Sequence, residues 1–523
     1  MRFSFGLRLL IWTGVLLGAA WPGWAEPTEA SLEEILGGFD TDPGESTEPT
    51  PEQAPGDGGF FGRHLDLTGS VSLGASYNVD DHRSSIGPNP PPAPGTDYGG
   101  VQRLRARTDL QADIDLPGDW KARLQAFGFY DFAYLVHGKD HYTRDVLDDY
   151  EFETEILDLW LEGSVTDWLD LKLGRQVVNW GRSDALRVTD VWNALNNREP
   201  GLVDIEELRL PSTMARADAY LGSWQWTALV VPEIRYDYNP PPGSDFFPVP
   251  RCSDLPPAPV GAEAGAQDDF CNELLGASPG STAASQWGAS PEFGFSLTGI
   301  FSGWDLSLYA ARLYANQTSS VVGLPDPSPS SAYRIDQAHD RITLLGAGGN
   351  YTRDAWLFKA EFAFLDELDF VLLRPDPGFV LSPDPLYLVS SLRVSRLDWM
   401  AGIEYYGLGE TTLALDLAHR HVIDYDPGLA YAPNYVQEDS VELALRLGSE
   451  YFNARLRVSA LGLIVANNAG FQGGILRLWA DYELAEALIV TGGYLHYFES
   501  GQVPFDSWGQ NDRIFAKVKF SFP

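Results

Sequence analysis

The chain has 523 residues, of which 44% are hydrophobic, and a formal net charge of −37. So acidic a protein is not expected to bind nucleic acid, whose phosphates attract basic surfaces. Two cysteines exclude a disulfide scaffold. Beyond residue 25 no apolar run reaches the roughly 18 residues that a membrane-spanning helix needs.

The first 25 residues have the pattern of a secretory signal peptide. Arg2 and Arg8 form a basic start, Leu9 to Ala20 form a short apolar core, and small residues precede Glu26. This pattern predicts cleavage before Glu26. The signal carries two arginines and no acid, so its removal changes the formal net charge from −37 to −39.

Residues 26–63 are predicted to be a periplasmic leader and linker. Leu32, Ile35, Leu36 and Phe39 have the i, i+3, i+4, i+7 spacing of one amphipathic helix over 31–39. A disordered tail with accidental spacing is the alternative, and both remain open. Residues 40–59 are rich in Pro, Gly, Glu and Thr, as flexible linkers are. The remainder, 64–523, is one predicted domain.

Strict alternation from Arg103 to Asp115 indicates the fold class. The odd positions are charged or amide residues, and the even positions run from Leu104 to Ile114 as apolar residues or Thr. A period of two puts the two sets on opposite faces of a strand. A face of seven charged or amide groups is typical of the wet interior of an outer-membrane barrel, whose other face meets lipid.

The same pattern continues to the end of the chain and predicts an all-β, antiparallel up-and-down transmembrane barrel. Short and long gaps alternate between the strands, which puts the short turns and both termini in the periplasm and the long loops outside the cell. An even number of strands is typical of single-chain bacterial barrels. The eighteen predicted strands lie near 64–78, 101–116, 120–135, 150–165, 168–178, 212–222, 224–235, 292–302, 304–315, 340–352, 356–369, 396–407, 411–423, 438–448, 451–464, 472–484, 487–498 and 511–522.

Two further regularities favour insertion into the outer membrane of a Gram-negative bacterium. Five tryptophans each open the strand after a short turn, as an interfacial girdle would: Trp120, Trp168, Trp224, Trp304 and Trp356. The last strand alternates from Ile514 to Phe522 and resembles the C-terminal signal read by the barrel-insertion machinery. It departs from that signal by ending in Pro523.

Charges of both signs are predicted to point into the barrel and to form a lumen charge ladder. Glu442 and Arg446 are expected to face Arg455 and Arg457 from the next strand. Cross-strand ion pairs that hold a wet lumen open explain the ladder most simply. A transverse field that orients a solute is the alternative. The remaining members are Arg103, Arg105 and Arg107 on the second strand, Lys121, Arg123 and Gln125 on the third, and Glu151, Glu153 and Glu155 on the fourth.

The segment after the fifth strand is neither a plain strand nor a plain loop. Leu169, Leu171 and Leu173 face lipid, and Arg175 follows in the same phase. A bulge at Gly174 is expected to turn Arg175 inward. The loop 179–211 mixes Trp, Leu and Arg with Asn, which predicts that it folds back into the lumen.

At these residues the chain resembles the outer-membrane proteins catalogued as domain of unknown function 1302. The resemblance rests on Arg175 to Gly181, Asp190 to Leu202, Glu233 to Phe246 and the leader from Leu32 to Phe39. Ala194 stands where the family is expected to carry proline. A looser likeness is to alginate-export porins. The resemblance implies a channel, a partnership with inner-membrane exporters of hydrophobic molecules, and a periplasmic lipid-binding carrier.

The sequence therefore predicts an outer-membrane channel for a small or hydrophobic solute, with no cofactor. The constriction is placed at Arg175, Arg182, Trp192 and Arg198. The alternative is that the loop 179–211 only lies across the outer mouth and covers it. The solute, the direction of transport and the oligomeric state stay open. A barrel sheath around an electron-transfer partner and an outer-membrane hydrolase are the rival functions.

Catalytic and metal motifs give the enzyme little support. The chain has no His-Glu-x-x-His and no Cys-x-x-Cys-His. His419 and His421 share a strand face but lack a third strong ligand nearby, so a polar rim is preferred to a metal site. Cys252 and Cys271 lie in one long loop outside the cell and are predicted to form a disulfide.

Overall fold

The computed structural model describes most of the chain from His64 onward, and the signal peptide and leader lie outside the described residues. The described residues are 64–84, 86–88, 95–183, 185–203, 205–248, 251–259, 262, 265–268, 285–316, 319–323, 334–376, 387–432 and 434–523.

Eighteen strands pair in chain order, each antiparallel to the next, and the last pairs with the first to close a barrel. The predicted fold class and strand number are confirmed. The strands are β1 (Leu65–Asn78), β2 (Gly100–Leu116), β3 (Trp120–Asp131), β4 (Phe152–Thr166), β5 (Leu169–Gln176), β6 (Ser212–Leu221), β7 (Trp224–Arg235), β8 (Ser285–Phe301), β9 (Trp304–Tyr314), β10 (Arg341–Arg353), β11 (Trp356–Pro375), β12 (Tyr387–Tyr405), β13 (Thr411–Ile423), β14 (Asp439–Tyr451), β15 (Leu456–Asn467), β16 (Gly470–Ala485), β17 (Leu488–Phe498) and β18 (Arg513–Phe522).

The outer face of the barrel is apolar because the pleat sends alternate side chains out of the wall. On β14, Val441, Leu443, Leu445 and Leu447 are exposed, whereas Ala444 between them is buried on the inner face. A soluble protein rarely exposes so continuous an apolar surface. A closed barrel with such a surface is the architecture of transmembrane barrels, in which every backbone group is paired within the wall.

Short turns join the strands at one end of the barrel, and both β1 and β18 have their chain termini at that end. Gly118 and Asp119 between β2 and β3 both have positive φ, as the tightest hairpin turns require. Four tryptophans are the first residues of β3, β7, β9 and β11, and Trp168 directly precedes β5. The five predicted girdle tryptophans therefore lie at one level of the barrel.

The turn between β14 and β15 corrects part of the predicted ladder. The strands were expected to meet near residue 450, but the turn lies at 452–455, with Phe452, Asn453 and Ala454 in the left-handed region. Arg455 is an exposed turn residue, and Arg457 pairs with Glu450 at 2.7 Å. Neither arginine therefore faces Glu442 or Arg446.

The long connections at the other end contain structure of their own. The segment predicted as the end of the third strand is helical from Ala133, because the ladder with β2 ends at Asp131. Among the described residues no helix is both long and apolar enough to cross a bilayer. The helices are α1 (Ala133–His137), α2 (Arg144–Tyr150), α3 (Ile205–Leu208) and α4 (Phe505–Trp508), and short ladders join 194–195 to 209–210 and 319–323 to 334–338.

A candidate functional site across the lumen

Residues 177–211, which connect β5 to β6, cross the inside of the barrel and are called the plug. The plug contacts Glu361 on β11 and Arg103 on β2. These two strands lie nine positions apart in a closed ring of eighteen, so they form opposite walls. One connection that is bonded to both walls spans the lumen.

The first limb of the plug, residues 177–195, packs on an apolar inner wall. The ring of Trp180 stacks on Tyr309 of β9 at 4.9 Å between centroids and meets the ring of Trp192 edge-on at 5.1 Å. Burying two indoles and several aliphatic side chains stabilises this placement by a few kcal/mol per large residue. Besides Tyr309, the wall residues in the same cluster are Met214, Leu229, Val231, Ala311, Leu313, Ile342, Leu344, Ala363, Leu365, Met400, Ala418 and Ala444.

Inward-facing glycines make room for the first limb. A Cβ at Gly294 on β8 would overlap the ring of Trp192, and a Cβ at Gly346 on β10 would lie 3.1 Å from the methyl carbon of Thr189. Glycine within a strand often marks such a close approach of another part of the chain. The wall is therefore shaped for the plug.

Glu361 on β11 holds the first limb by hydrogen bonds. Its carboxylate accepts from the backbone N–H groups of Arg182 at 2.5 Å, Ser183 at 3.2 Å and Thr189 at 2.9 Å, and from the Thr189 hydroxyl at 2.6 Å. The Glu361 side chain is buried. Four donors from one short segment compensate a buried carboxylate that would otherwise be costly.

Three further contacts fix the same segment. The guanidinium of Arg182 lies 2.7 Å from the carboxylate of Asp305 on β9. The Ser183 hydroxyl donates to Asp416 on β13 at 2.7 Å, and Arg420 donates to the backbone carbonyl of Arg187 at 3.0 Å. With Glu361, these contacts bond the first limb to three wall strands, β9, β11 and β13.

The second limb, residues 196–211, is held by charge. Glu199 accepts from Arg103 and, at 3.0 Å, from Arg105, both on β2. Arg198 pairs with Glu153 on β4 at 2.7 Å. The predicted inward ladder on these two strands therefore serves largely as an anchor for the plug, and Arg107 continues it by pairing with Glu207 at 2.8 Å.

Burial and the neighbouring arginines shift the pKa of Glu199 in opposite directions. Burial acts to raise the pKa of this carboxyl, but the charges of Arg105 and Arg103 outweigh burial and hold the pKa well below its usual range. Glu199 is therefore ionised at any physiological pH, and the second limb stays ionically bound.

A second connection, residues 236–248, reaches from β7 to the closing seam and is called the lid. Asp245 of the lid pairs with Arg513, the first residue of β18, and both side chains are buried, with relative exposures of 1% and 0%. Asn511 donates to the Asp245 carbonyl at 2.8 Å, and Tyr98 donates to the Gly243 carbonyl at 2.8 Å. The lid is thus bonded to the start of β18, the strand that closes the barrel by pairing with β1.

A protein-family model described as "Protein of unknown function (DUF1302)" matches residues 46–522. The chain belongs to this family. The match extends over nearly the whole barrel and includes the plug, the lid and the closing strand. No curated protein matches this chain.

Several solved structures are similar to this chain at low identity. OccAB2 of Acinetobacter baumannii is 8% identical with a TM-score of 0.47, and the match covers 88% of this chain and 98% of that one. OccK8 (OprE) of Pseudomonas aeruginosa is 10% identical with a TM-score of 0.44 over 88% and 98%. The outer membrane channel DcaP of A. baumannii is 10% identical with a TM-score of 0.37 over 88% and 97%.

The four residues predicted at the constriction all lie in or beside the plug. Arg182 and Trp192 belong to the first limb and Arg198 to the second. Arg175, at the end of β5, pairs with Glu155 at 3.0 Å and with Glu233 at 2.8 Å, both of which face inward. Whether they limit passage through a pore stays a prediction.

The predicted bulge at Gly174 is wrong, although Arg175 does reach the inner carboxylates. The register of β5 with both neighbours is continuous through Gly174. Instead Gly174 has φ +126°, and a Cβ there would overlap the backbone of Leu159. A local rotation that only glycine tolerates redirects the next side chain without a change of register.

Three other predicted residues lie apart from the plug. Glu151 precedes β4 and accepts from the Tyr130 hydroxyl at 2.6 Å instead of joining the inner ladder. His419 and His421 both contact one carboxylate oxygen of Asp439, at 3.1 Å and 2.8 Å. Within the described part of the chain, no group of three or more His, Cys, Asp or Glu residues has a metal-binding arrangement.

The structure describes one of the two cysteines of the predicted disulfide. Cys252 is disulfide-bonded, and Cys271 lies outside the described residues. Leu255, three residues after Cys252, packs with Tyr387 and Ala432 at the loop ends of the barrel.

The sequence missed Glu361, Asp416 and Arg420, which the structure brings to the plug. A usable signal was present on the neighbouring strands, where the inward positions Gly294 and Gly346 interrupt rows of larger side chains. Such gaps on the inner face of a wide barrel indicate that another segment lies against them.

Proposed function

We propose that this protein is an outer-membrane channel that passes a small or hydrophobic solute when the plug moves from the lumen. The observation that carries the proposal is the bonding of one connection to two opposite walls, β11 and β2. The wall supplies enclosure, and the plug supplies control over passage.

The width of the barrel supports a channel. Eighteen strands enclose a lumen too wide for wall side chains alone to fill. In this protein a loop that is tethered to the wall at both ends occupies the space. A loop so placed fits a gated channel better than a sheath, because a sheath needs its lumen free for a partner.

The inner wall supports a hydrophobic solute. Displacing the first limb would uncover inward-facing Leu229, Leu344 and Leu365 together with their apolar neighbours on β6 to β14. A lumen for ions or sugars gains nothing from such a surface, whereas an apolar molecule is stabilised on it. A solute of this kind reaches the barrel through a periplasmic carrier or an inner-membrane exporter, and we include such a partner in the proposal.

The orientation follows from the shape of the connections. Short turns belong on the periplasmic side of an outer-membrane barrel and long loops outside. The plug and the lid then enter from the cell surface, and both chain termini lie in the periplasm.

The proposal is tested by conductance in a planar lipid bilayer. The purified wild-type barrel should show a small conductance, and replacing 185–205 by a short Gly/Ser linker should raise it severalfold. The matched control replaces 319–338, a hairpin in another long connection, by the same linker and should leave the conductance unchanged. A plug-shortened barrel that inserts correctly and conducts no better than the control would refute a channel closed by the plug.

A further inference from the structure

Helix α1 (Ala133–His137) presents an apolar surface on the outside of the barrel. The side chains of Leu135 and Val136 are 54% and 70% exposed, although the helix stands directly against the barrel wall. On the inner side of the same helix, Ala133 and Tyr134 are buried. The helix therefore has apolar side chains on both sides, Ala133 and Tyr134 packed inward and Leu135 and Val136 exposed outward.

The position of α1 is fixed by hydrogen bonds to the edge of β2. The backbone N–H of Phe132 donates to the carbonyl of Leu104 at 2.8 Å, and a ring nitrogen of His137 lies 2.7 Å from the carbonyl of Val101. The ladder between β2 and β3 ends just below, at Arg105 and Asp131. The helix thus takes the place of a neighbouring strand along residues 101–104.

The height of α1 matches the outer boundary of the bilayer. Phe132 lies twelve residues after Trp120, which opens β3 at the turn end. A strand that rises ~3.3 Å per residue and is tilted by ~40° climbs about 30 Å over that distance. The apolar belt of an outer-membrane barrel is about 25 Å tall and ends in aromatic girdles.

Other outward apolar residues surround the helix and join it to the lipid-facing wall. Four such residues are exposed: Tyr77 on β1, Val79 directly after β1, Val101 on β2 and Phe152 on β4. The surface of α1 therefore continues the outer face of β1 to β4. Continuity with a surface that faces lipid identifies lipid as the occupant.

We propose that α1 is an interfacial helix whose Leu135 and Val136 side chains insert into the outer boundary of the bilayer. The inference rests on the membrane location proposed above. It assigns to the β3–β4 connection a lipid contact at the rim, where α1 takes the place of strand pairing. Through Tyr134 on its buried side, the helix also packs with Tyr142 and Tyr150, and the Tyr150 hydroxyl donates to the plug at Arg198.

Spin labelling in phosphatidylcholine proteoliposomes tests the inference. Single cysteines at Val136 and Leu135 are labelled, and collision rates with oxygen, which dissolves in lipid, and with a water-soluble nickel chelate are measured. Cys252 is disulfide-bonded and takes no label. Leu443 on the outer face of β14 serves as the lipid-facing reference, and the exposed Asp148 in α2 serves as the water-facing reference.

The expected result is an oxygen-to-nickel collision ratio at positions 135 and 136 close to that at 443 and severalfold above that at 148. A ratio equal to that at 148 would overturn the inference and place the helix in water. Spin–spin broadening between labels on different molecules would also overturn it, because a second copy would then cover the surface. If position 443 itself behaves like 148, the membrane location fails instead. Heat-modifiable migration of each variant confirms that it has folded.

Discussion

The carboxylate of Glu361 accepts two hydrogen bonds from one residue of the plug, Thr189. The backbone N–H lies 2.9 Å from the carboxylate and the hydroxyl 2.6 Å from it. The two donor groups belong to the first limb of the plug, and the acceptor belongs to the barrel wall. A single side chain of β11 therefore holds both the backbone and the side chain of Thr189.

Replacing this carboxylate should loosen the plug. Glu361→Gln puts an NH₂ group where a second acceptor oxygen is needed, so part of the four-donor arrangement is lost. Hydrogen bonds to charged groups contribute about 1.5–3 kcal/mol each, and ~1.4 kcal/mol changes an equilibrium about tenfold. We expect the open fraction in planar bilayers to rise about tenfold.

Asp218→Asn is the matched control for that variant. Asp218 is a buried inward carboxylate on β6, and it is held by wall residues, among them Thr227 at 2.6 Å. Among the described residues its side-chain partners are Arg216, Gln225 and Thr227, all in the wall, so its loss should leave the open fraction at the wild-type level. Equal effects of both substitutions would mean that the conductance reports general damage to the wall.

Breaking the ion pair between the lid and the seam should be costly. Asp245→Ala leaves Arg513 buried without its carboxylate, which typically costs about 3–5 kcal/mol. The exposed pair Arg83–Asp97 is the control, because both side chains are more than half exposed, at 58% and 57%, and Asp97→Ala should cost about 1 kcal/mol or less. Urea unfolding followed by loss of heat-modifiable migration measures both. Similar midpoints for the two variants would show that the buried pair is not an anchor.

The ionic anchors should tolerate mild acid. Burial acts to raise the pKa of Asp245, but Arg513 and Arg103 outweigh it and hold the pKa below its usual value, as for Glu199. A carboxyl with a depressed folded-state pKa contributes stability above its unfolded pKa, about 4, and loses that contribution as the pH falls further. The unfolding temperature should stay level from about pH 8 to 5, decline below about 4, and decline less in Glu199→Gln. A midpoint near pH 6 would point to a histidine instead.

The sequence predicted the barrel well because a lipid-facing wall imposes the same alternation on every strand. The prediction failed at the turn between β14 and β15. Phe452 and Ala454 rarely adopt positive φ, so Asn453 alone indicated a turn there. The register of β15, and with it the expected partners of Arg455 and Arg457, was shifted as a result.

The plug was predictable as a segment but not as a set of contacts. Trp192 and Arg198 stood out because a surface loop rarely combines such residues. Glu361 and Asp416 did not, because an inward carboxylate in a wet barrel has the same pattern whether it meets water or another segment. The plug residues that bind Glu361 and Asp416 are about 170 to 230 residues away from them in the chain. Alternation along one strand contains no information on such distant pairing.

The disulfide prediction remains to be checked in solution. Cys252 and Cys271 enclose a loop of about 20 residues, and closing it restrains the unfolded chain by roughly 3 kcal/mol. Denatured, unreduced protein should take up no thiol reagent, and reduced protein should take up two equivalents. Uptake before reduction would disprove the pairing.

Closure of the barrel by β18 gives the last prediction. β18 pairs with β17 and with β1, from Gly69 opposite Phe522 to Asn78 opposite Arg513. Deleting 511–522 opens both neighbouring edges in lipid, where each unpaired backbone group costs several kcal/mol. We expect the variant to be degraded before insertion, with no heat-modifiable band in outer-membrane fractions. Removing Pro523 alone is the control, since that residue lies outside the ladder and its loss leaves every pair intact. A truncated protein that still migrates as a folded barrel would show that β1 and β17 close the wall without β18.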